Sequence, residues 1–253
     1  MGTLDGQVAA ITGAGTGIGV GIARRLAAEG ASVVICAYSS FAGCEKLADE
    51  ITTGGGTAIP LKLDFRQASN ARAIVEAAIS EHGRLDILVN NAGYTMTKPF
   101  LDCTEQDWDD VFNINLKSIF VTCLAAIPHM QERGYGRIIN ISSVHSRIHY
   151  ENHALYGSTK GGINEFTRAL VTELAGSGIN ANVIAPGAIY VERYDRAGLD
   201  QDRMIRSIPS RRVGTVDDIA GAAFFLASPD SAYVNGEVIF VDGGLTAVGP
   251  DLH

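Results

Sequence analysis

Tyr156 and Lys160 stand four residues apart in a segment patterned as a helix, which puts both side chains on one face with Cβ atoms about 5–6 Å apart. That pairing suits a proton transfer. An alcohol holds its proton firmly near neutral pH; a tyrosinate can take it, but a free tyrosine titrates near ~10. Bringing a tyrosine anion within reach of neutrality takes roughly 3–4 kcal/mol of preferential stabilisation, which an ammonium one helical turn away is able to supply. Ser143 ends a strand-like run and carries a hydroxyl fit to orient a substrate oxygen and to stabilise negative charge developing on it. Gly161 and Gly162 follow Lys160 and leave room for another backbone or a ligand to come close.

A second constellation suits an anion. Near the N-terminus a strand-like run passes through Thr12-Gly13-Ala14-Gly15-Thr16-Gly17-Ile18-Gly19 into a helix. Such a turn lets backbone N–H groups approach a pyrophosphate where the helix macrodipole favours negative charge. Gly13, Gly17 and Gly19 follow a G-x-x-x-G-x-G spacing rather than G-x-G-x-x-G.

Positioning these residues requires a sheet. Apolar runs rich in Val and Ile recur at 8–11, 33–35, 87–89, 138–141, 181–184 and 238–241, with a weaker run at 58–62. Continuous runs rather than alternation mark strands covered on both faces. Helix-like segments lie between them at 17–29, 41–53, 67–82, 106–133, 156–177 and 216–227. Strand alternating with helix gives right-handed crossovers. The expected fold is α/β: one Rossmann-like domain over 1–253, with a doubly wound parallel sheet of about seven strands and helices on both faces. Pro128 is expected to bend the 106–133 helix. A polar stretch around 190–210 lies beyond a strand end, where ligand crevices form, and reads as a substrate lid.

Composition narrows the classes. Lys and Arg number 20 against 28 Asp and Glu, a formal net charge of −8, and Arg211-Arg212 is the nearest thing to a basic run, so no nucleic-acid partner is expected. No apolar stretch is read as a membrane span, and strand-like sequence begins near Gln7, so a cytoplasmic protein acting on a small molecule is expected. Cys36, Cys44, Cys103 and Cys123 lack metal-like or C-x-x-C spacing and read as ordinary thiols. His145, His149 and His153 recur every four residues on a loop, which imposes no helical register. No metal site is read there; contact with substrate and plain surface both stay open.

Over essentially its whole length the chain resembles the short-chain dehydrogenases/reductases. Thr12-Gly13-x-x-x-Gly17-Ile18-Gly19 looks like the family's cofactor loop, and Asn90-Asn91-Ala92-Gly93 like its N-N-A-G motif. Asn115 matches the helix Asn, Tyr156-x-x-x-Lys160 the Y-x-x-x-K pair, and Pro186-Gly187 the motif after the sixth strand; the spacing to Tyr156 selects Ser143 over Ser142. The resemblance implies an NAD(P)-dependent oxidoreductase that moves hydride between nicotinamide and a hydroxyl/carbonyl pair. Asn115, Ser143, Tyr156 and Lys160 would form its catalytic set, with Asn115 holding a water that links Lys160 to solvent. Gly13, Gly15, Thr16, Gly17, Ile18 and Gly19 would cradle the cofactor, joined by Asn91, Ala92, Gly93, Tyr156, Lys160, Pro186, Gly187 and Ile189, while Asp64 would contact the adenine. Val191 stands where the family often has a Thr that binds the carboxamide, which leaves that contact to backbone around Ile189. A homotetramer built partly through 106–133 and 156–177 is also implied.

A carboxylate about 20 residues past the glycine loop would select NAD. Ala37 holds that position, followed by Tyr38, Ser39 and Ser40, with no acid and no Arg nearby, so NADP or dual use is favoured over strict NAD. The run 186–194 resembles the P-G-x-I-x-V-x-R-Y of bacterial aldose 1-dehydrogenases in this family. Tyr94, Ser146, His153 and Arg193 join Ser143 as substrate candidates. Sugar hydroxyls would satisfy such polar loops, whereas a steroid or acyl chain would leave groups unpaired at roughly 1–3 kcal/mol each. Reduction of a 3-oxoacyl thioester is the competing activity, and would call for a basic patch to receive an acidic carrier. A non-catalytic nucleotide sensor is the competing class, and it has no physical need of the Asn115, Ser143, Tyr156 and Lys160 set.

Overall fold

The computed structural model describes residues 2–190 and 201–247. Seven strands, β1 (Val8–Thr12), β2 (Ser32–Ala37), β3 (Ala58–Lys62), β4 (Ile87–Asn90), β5 (Gly136–Ile141), β6 (Ile179–Pro186) and β7 (Val238–Val241), form one sheet in the order β3-β2-β1-β4-β5-β6-β7. Every pairing is parallel. The chain starts at β1, works outward to β3, then returns to β4 on the other side of β1. This reversal opens a crevice at the carboxyl ends of β1 and β4.

Period-two alternation sends neighbouring strand residues to opposite faces, which is why the strands read as unbroken apolar runs. On one face Ala9, Ile11, Val33, Ile35 and Val89 pack against α1 (Ile18–Ala28), α2 (Phe41–Thr53) and α8 (Val216–Ala227). On the other, Val8, Ala10, Val34, Leu88 and Ile138 meet α3 (Arg72–His82), α5 (Ser118–Arg133) and α6 (Ala154–Glu173). Ile22 and Leu26 on α1 and Ile119 on α5 are fully or almost fully buried, each contributing roughly 1.5–3 kcal/mol. Cys36 and Cys123 are ordinary buried thiols, and burial pushes both up to about 12.

The 106–133 segment differs from the simple helix expected. α4 (Glu105–Phe112) starts with a capping box between Thr104 and Asp107, a π-helical turn covers Asn113–Lys117, and α5 continues past Pro128 to Arg133. Read as one run, Glu105–Arg133 is 29 residues long with a mean hydropathy of 1.5 in its most apolar stretch, which corrects the reading that nothing here is of membrane-span length. Its inner face, Ile119, Cys123, Ala126 and Met130, is buried against the sheet side, as in a core helix. Of the expected lid, residues 191–200 lie outside the described residues, and Gln201–Ser207 forms the short helix α7.

Candidate active site

The glycine loop is held from a distant part of the chain. Thr12 Oγ1 accepts hydrogen bonds from the backbone N–H groups of Asn91 (3.0 Å) and Ala92 (2.9 Å), and Asn91 Nδ2 donates to the carbonyls of Thr12 (3.0 Å) and Gly13 (2.9 Å). Asn91 is therefore a clamp on the loop as well as part of the crevice wall. Gly13 has φ +69°, and a Cβ there would lie 2.7 Å from Ala92 Cα, so only glycine allows the clamp to close. Gly15 and Gly19 do their work by packing: a Cβ on Gly15 would strike Ser40, and one on Gly19 the Gly13 carbonyl, at 2.3 Å in each case.

Gly17 starts α1 without a side-chain cap, and the first turn of the helix carries no acidic residue. Its backbone donors thus face the crevice, as a diphosphate requires. The cleft they open onto has a volume of about 460 Å³. Thr16, Gly17 and Ile18 line it with Ala37, Tyr38 and Ser39 at the end of β2, Asp64 after β3, and Asn91, Ala92, Gly93 and Tyr94 after β4. Pro186 ends β6, and Gly187 and Ile189 follow it. Ile189 bridges to Gly214 and lines a separate small cavity with Arg212 and Asp218. The residues present fit a dinucleotide along the β1–β4 crevice.

Two cations absent from the sequence reading stand at the adenosine end. Lys62 is the register partner of Ala37, with Nζ 6.0 Å from the Tyr38 ring centroid, and the Arg66 guanidinium lies 5.2 Å from the same ring. The expectation of no cation near Ala37 is thereby corrected, because the cations arrive from β3 rather than along β2. Asp64, expected to face adenine, has its carboxylate bound by Arg66 Nε and Nη2 (3.0 and 2.6 Å) and by the Arg66 backbone N–H. This pairing holds the Asp64 carboxyl below the usual range.

Tyr156 and Lys160 lie one turn apart on α6, with Lys160 Nζ 5.5 Å from the Tyr156 ring centroid. The ammonium is buried, donates to the Ile141 carbonyl at 2.9 Å, and is pushed down to about 8 by burial. It therefore still carries its proton at neutral pH. Ser142 Oγ donates to the Lys160 carbonyl (2.9 Å), a structural bond that commits its proton and leaves Ser143 as the serine whose hydroxyl proton is uncommitted. Ser143 Oγ accepts from the His145 backbone N–H at 3.3 Å, so its own proton stays free to donate.

Asn115 sits fully buried in the π-helical turn, a feature frequent at functional sites. Its Oδ1 accepts from Tyr94 N–H (2.7 Å), and its Nδ2 donates to the Tyr94 carbonyl (3.0 Å) and to Thr159 Oγ1 (3.1 Å). A Cβ built on Gly93 would stand 3.7 Å from both Asn115 Oδ1 and Lys160 Nζ, so these residues share one pocket.

The substrate candidates divide. Tyr94 is exposed on the crevice wall. Ser146 Oγ is committed to the Ser143 carbonyl at 2.7 Å. Both His153 ring nitrogens are engaged, Nε2 with Thr97 Oγ1 (3.0 Å) and Nδ1 with the Glu151 carbonyl (2.6 Å), so this ring ties two rim loops together instead of offering a free group. In this structure both side chains brace the rim around Ser143 and Tyr156. Arg193 and Val191 lie outside the described residues. His145, which sequence spacing left ambiguous, is the nearer of two histidine rings against Tyr156, at 5.2 Å between centroids against 6.4 Å for His153.

Comparison with known proteins agrees with this architecture. A family model described as enoyl-(acyl carrier protein) reductase matches residues 13–246. An oxidoreductase of Methylorubrum extorquens is 41% identical over 249 residues, covering 97% of this chain and 100% of the relative. A gluconate 5-dehydrogenase from Burkholderia cenocepacia, solved with NADP and tartrate, superposes with a TM-score of 0.89 at 38% identity over 97% of each chain. A 7α-hydroxysteroid dehydrogenase complexed with NADH and 7-oxo glycochenodeoxycholic acid gives a TM-score of 0.91 at 36% identity, over 95% of this chain and 94% of that one.

Proposed function

This chain belongs to the short-chain dehydrogenase/reductase family and is an NAD(P)-dependent oxidoreductase, and from that premise we propose that it interconverts hydroxyl and carbonyl on a polyhydroxylated small molecule, the leading case being oxidation of an aldose at C1 to the lactone. The observation that carries this reading is the buried Lys160 ammonium beside the Tyr156 ring, sharing a pocket with Gly93 on the wall of the β1–β4 crevice.

When bound, the nicotinamide supplies the partner for hydride transfer. The remaining work falls to the chain. Ser143 keeps its proton and donates a hydrogen bond through it to the substrate oxygen, which orients that oxygen. Tyr156 takes the proton from that oxygen during oxidation and returns it during reduction. Lys160 stabilises the phenolate, and the Ile141 carbonyl aims its ammonium. Asn115 positions the Tyr94 loop and Thr159, which keeps Gly93 close to Lys160. In the adenosine half, Lys62 offers positive charge beside Ala37, with Arg66 close by on its Asp64 partner, which supports NADP over NAD.

The polar rim supports a hydroxylated substrate, as does likeness to an enzyme named for gluconate. The description of the matching family model favours a second reading, reduction of an acyl thioester. A net charge of −8 weighs against docking of an acidic carrier. Turnover assays with pentoses, hexoses and deoxyhexoses, and with acetoacetyl thioesters, each with both nucleotides, decide between them. Oxidation of at least one sugar is the expected outcome, and efficient thioester reduction with no sugar oxidised would replace the first reading by the second. Trp108, Phe120 and Leu124 are about half exposed along α4 and α5 and suit a subunit face, so a homotetramer is part of the proposal. Light scattering that finds a monomer at micromolar concentration would remove it.

A further inference from the structure

His145 is the ring of the histidine trio that lies nearest Tyr156 yet makes no hydrogen bond among the described residues. It follows Ser143 on a short 3₁₀ turn, and three rings enclose it: Tyr156 edge-on at 5.2 Å, Tyr150 at 5.1 Å and His153 at 4.9 Å between centroids. Nδ1 is sealed from solvent and has no hydrogen-bond partner, and no hydrogen bond reaches Nε2 either among the described residues. Burial, reinforced by His153, His149 and Lys160, pushes the ring down to about 4, so it is neutral at physiological pH.

A neutral imidazole has one N–H and one lone pair. A buried N–H without a partner is rarer in folded proteins than an acceptor left unfilled. The lone pair therefore belongs on the sealed Nδ1, and the proton on Nε2. This leaves a fixed, uncharged donor beside the place where Ser143 and Tyr156 meet a substrate. We infer that His145 is a specificity residue whose Nε2–H donates to a substrate oxygen on the carbon next to the reacting one. A ligand with a single isolated oxygen gains nothing from it, whereas a sugar or hydroxy acid places a second oxygen within its reach. The inference rests on the preceding reading only in taking Ser143 and Tyr156 as the holders of the reacting oxygen.

Two measurements on the full chain test it. In two-bond ¹H–¹⁵N correlation spectra of histidine-labelled protein at neutral pH, with the signal assigned by its loss in His145→Gln, His145 should show the Nε2–H tautomer; the Nδ1–H tautomer or an imidazolium would overturn the inference. Separately, kcat/KM is compared for D-glucose and 2-deoxy-D-glucose, which lacks the neighbouring oxygen. The preference for glucose should fall about ten-fold or more in His145→Leu, mainly through KM, and stay within about three-fold in His145→Gln, which keeps a donor. An unchanged preference in His145→Leu would overturn it. Should the wild-type protein turn over neither sugar, the aldose reading fails on its own account, the same ratio is read on trans-cyclohexane-1,2-diol against cyclohexanol, and the tautomer still decides the donor.

Discussion

Lys62 lies opposite Ala37 in the parallel pairing of β3 on β2, at the edge where the nucleotide crevice meets solvent. With Arg66 near the same Tyr38 ring, it supplies charge that Tyr38, Ser39 and Ser40, directly after Ala37, do not provide. Truncating both cations, Lys62→Ala with Arg66→Ala, should weaken 2′,5′-ADP about ten- to a hundred-fold and leave AMP within about two-fold, as read by calorimetry. Equal weakening of both ligands would mean that neither side chain meets the 2′-phosphate. Ala37→Asp should raise KM for NADP and spare NAD.

Tyr156→Phe keeps the ring that packs against His145 but removes the hydroxyl, so the fold and nucleotide binding should survive. Turnover should drop by orders of magnitude. Steady-state kinetics retaining more than about a tenth of the wild-type rate would sink the role given to Tyr156.

Lys160 titrates at about 8 in the fold, against 10.5 for an ordinary lysine, because burial disfavours its charge. Below pH 8 both states hold the proton, and the penalty of burying the charge is present in full. As pH rises from 8 to 10.5 the folded protein releases the proton first and the penalty is relieved, so stability should rise through that window. Lys160→Met has no such group, so wild type should gain up to about 3 kcal/mol on it between neutral pH and pH ~10 in urea unfolding. A constant difference would show that Lys160 is not desolvated.

Asp86 is buried just before β4, where its carboxylate accepts from the Val8 N–H (2.8 Å) and from Arg84 Nε and Nη2 (2.8 and 2.7 Å). Asp86→Ala leaves the Val8 donor unpaired at the start of the central strand. A loss of about 2–4 kcal/mol in unfolding free energy is expected. A loss under about 0.5 kcal/mol would place water on all three donors.

Much of this arrangement is legible in the sequence because burial on two faces writes strands as unbroken apolar runs. Even the weak strand Ala58–Lys62 reads correctly, since its register with β2 keeps it partly covered. Two helical segments are exceptions: 67–82 resolves into a 3₁₀ turn at Ala68–Ala71 and then α3, and 106–133 is interrupted by the π-helical turn at Asn113–Lys117, changes of pitch that apolar periodicity does not report. At the site, motifs on a single element, such as Tyr156 with Lys160, carry their own geometry. What linear reading misses is proximity across strands. Lys62 and Arg66 are about 25–30 residues from Ala37 in sequence, yet the pairing register sets Lys62 beside it and the chain beyond β3 brings Arg66 to the Tyr38 ring. The loop histidines fail for a related reason: with no periodic backbone, spacing says nothing about which of His145 and His153 is tied up by Thr97 and which packs closer to Tyr156 without a hydrogen bond.

The clamp that Asn91 and Thr12 make on the glycine loop joins residues 79 positions apart. A nascent chain that has emerged only as far as β3 thus holds the whole glycine loop and the Ala37 edge, yet lacks the groups that fix the loop's shape. Closing so long a segment is slow and is rewarded only when β4 docks beside β1. Nucleotide then binds the finished sheet and not its partly made precursors, so cellular nucleotide stabilises completed molecules selectively by mass action. The same bonds that shape the pocket therefore act as a checkpoint on assembly, and a chain that folds only its N-terminal half gains no protection from the cofactor pool.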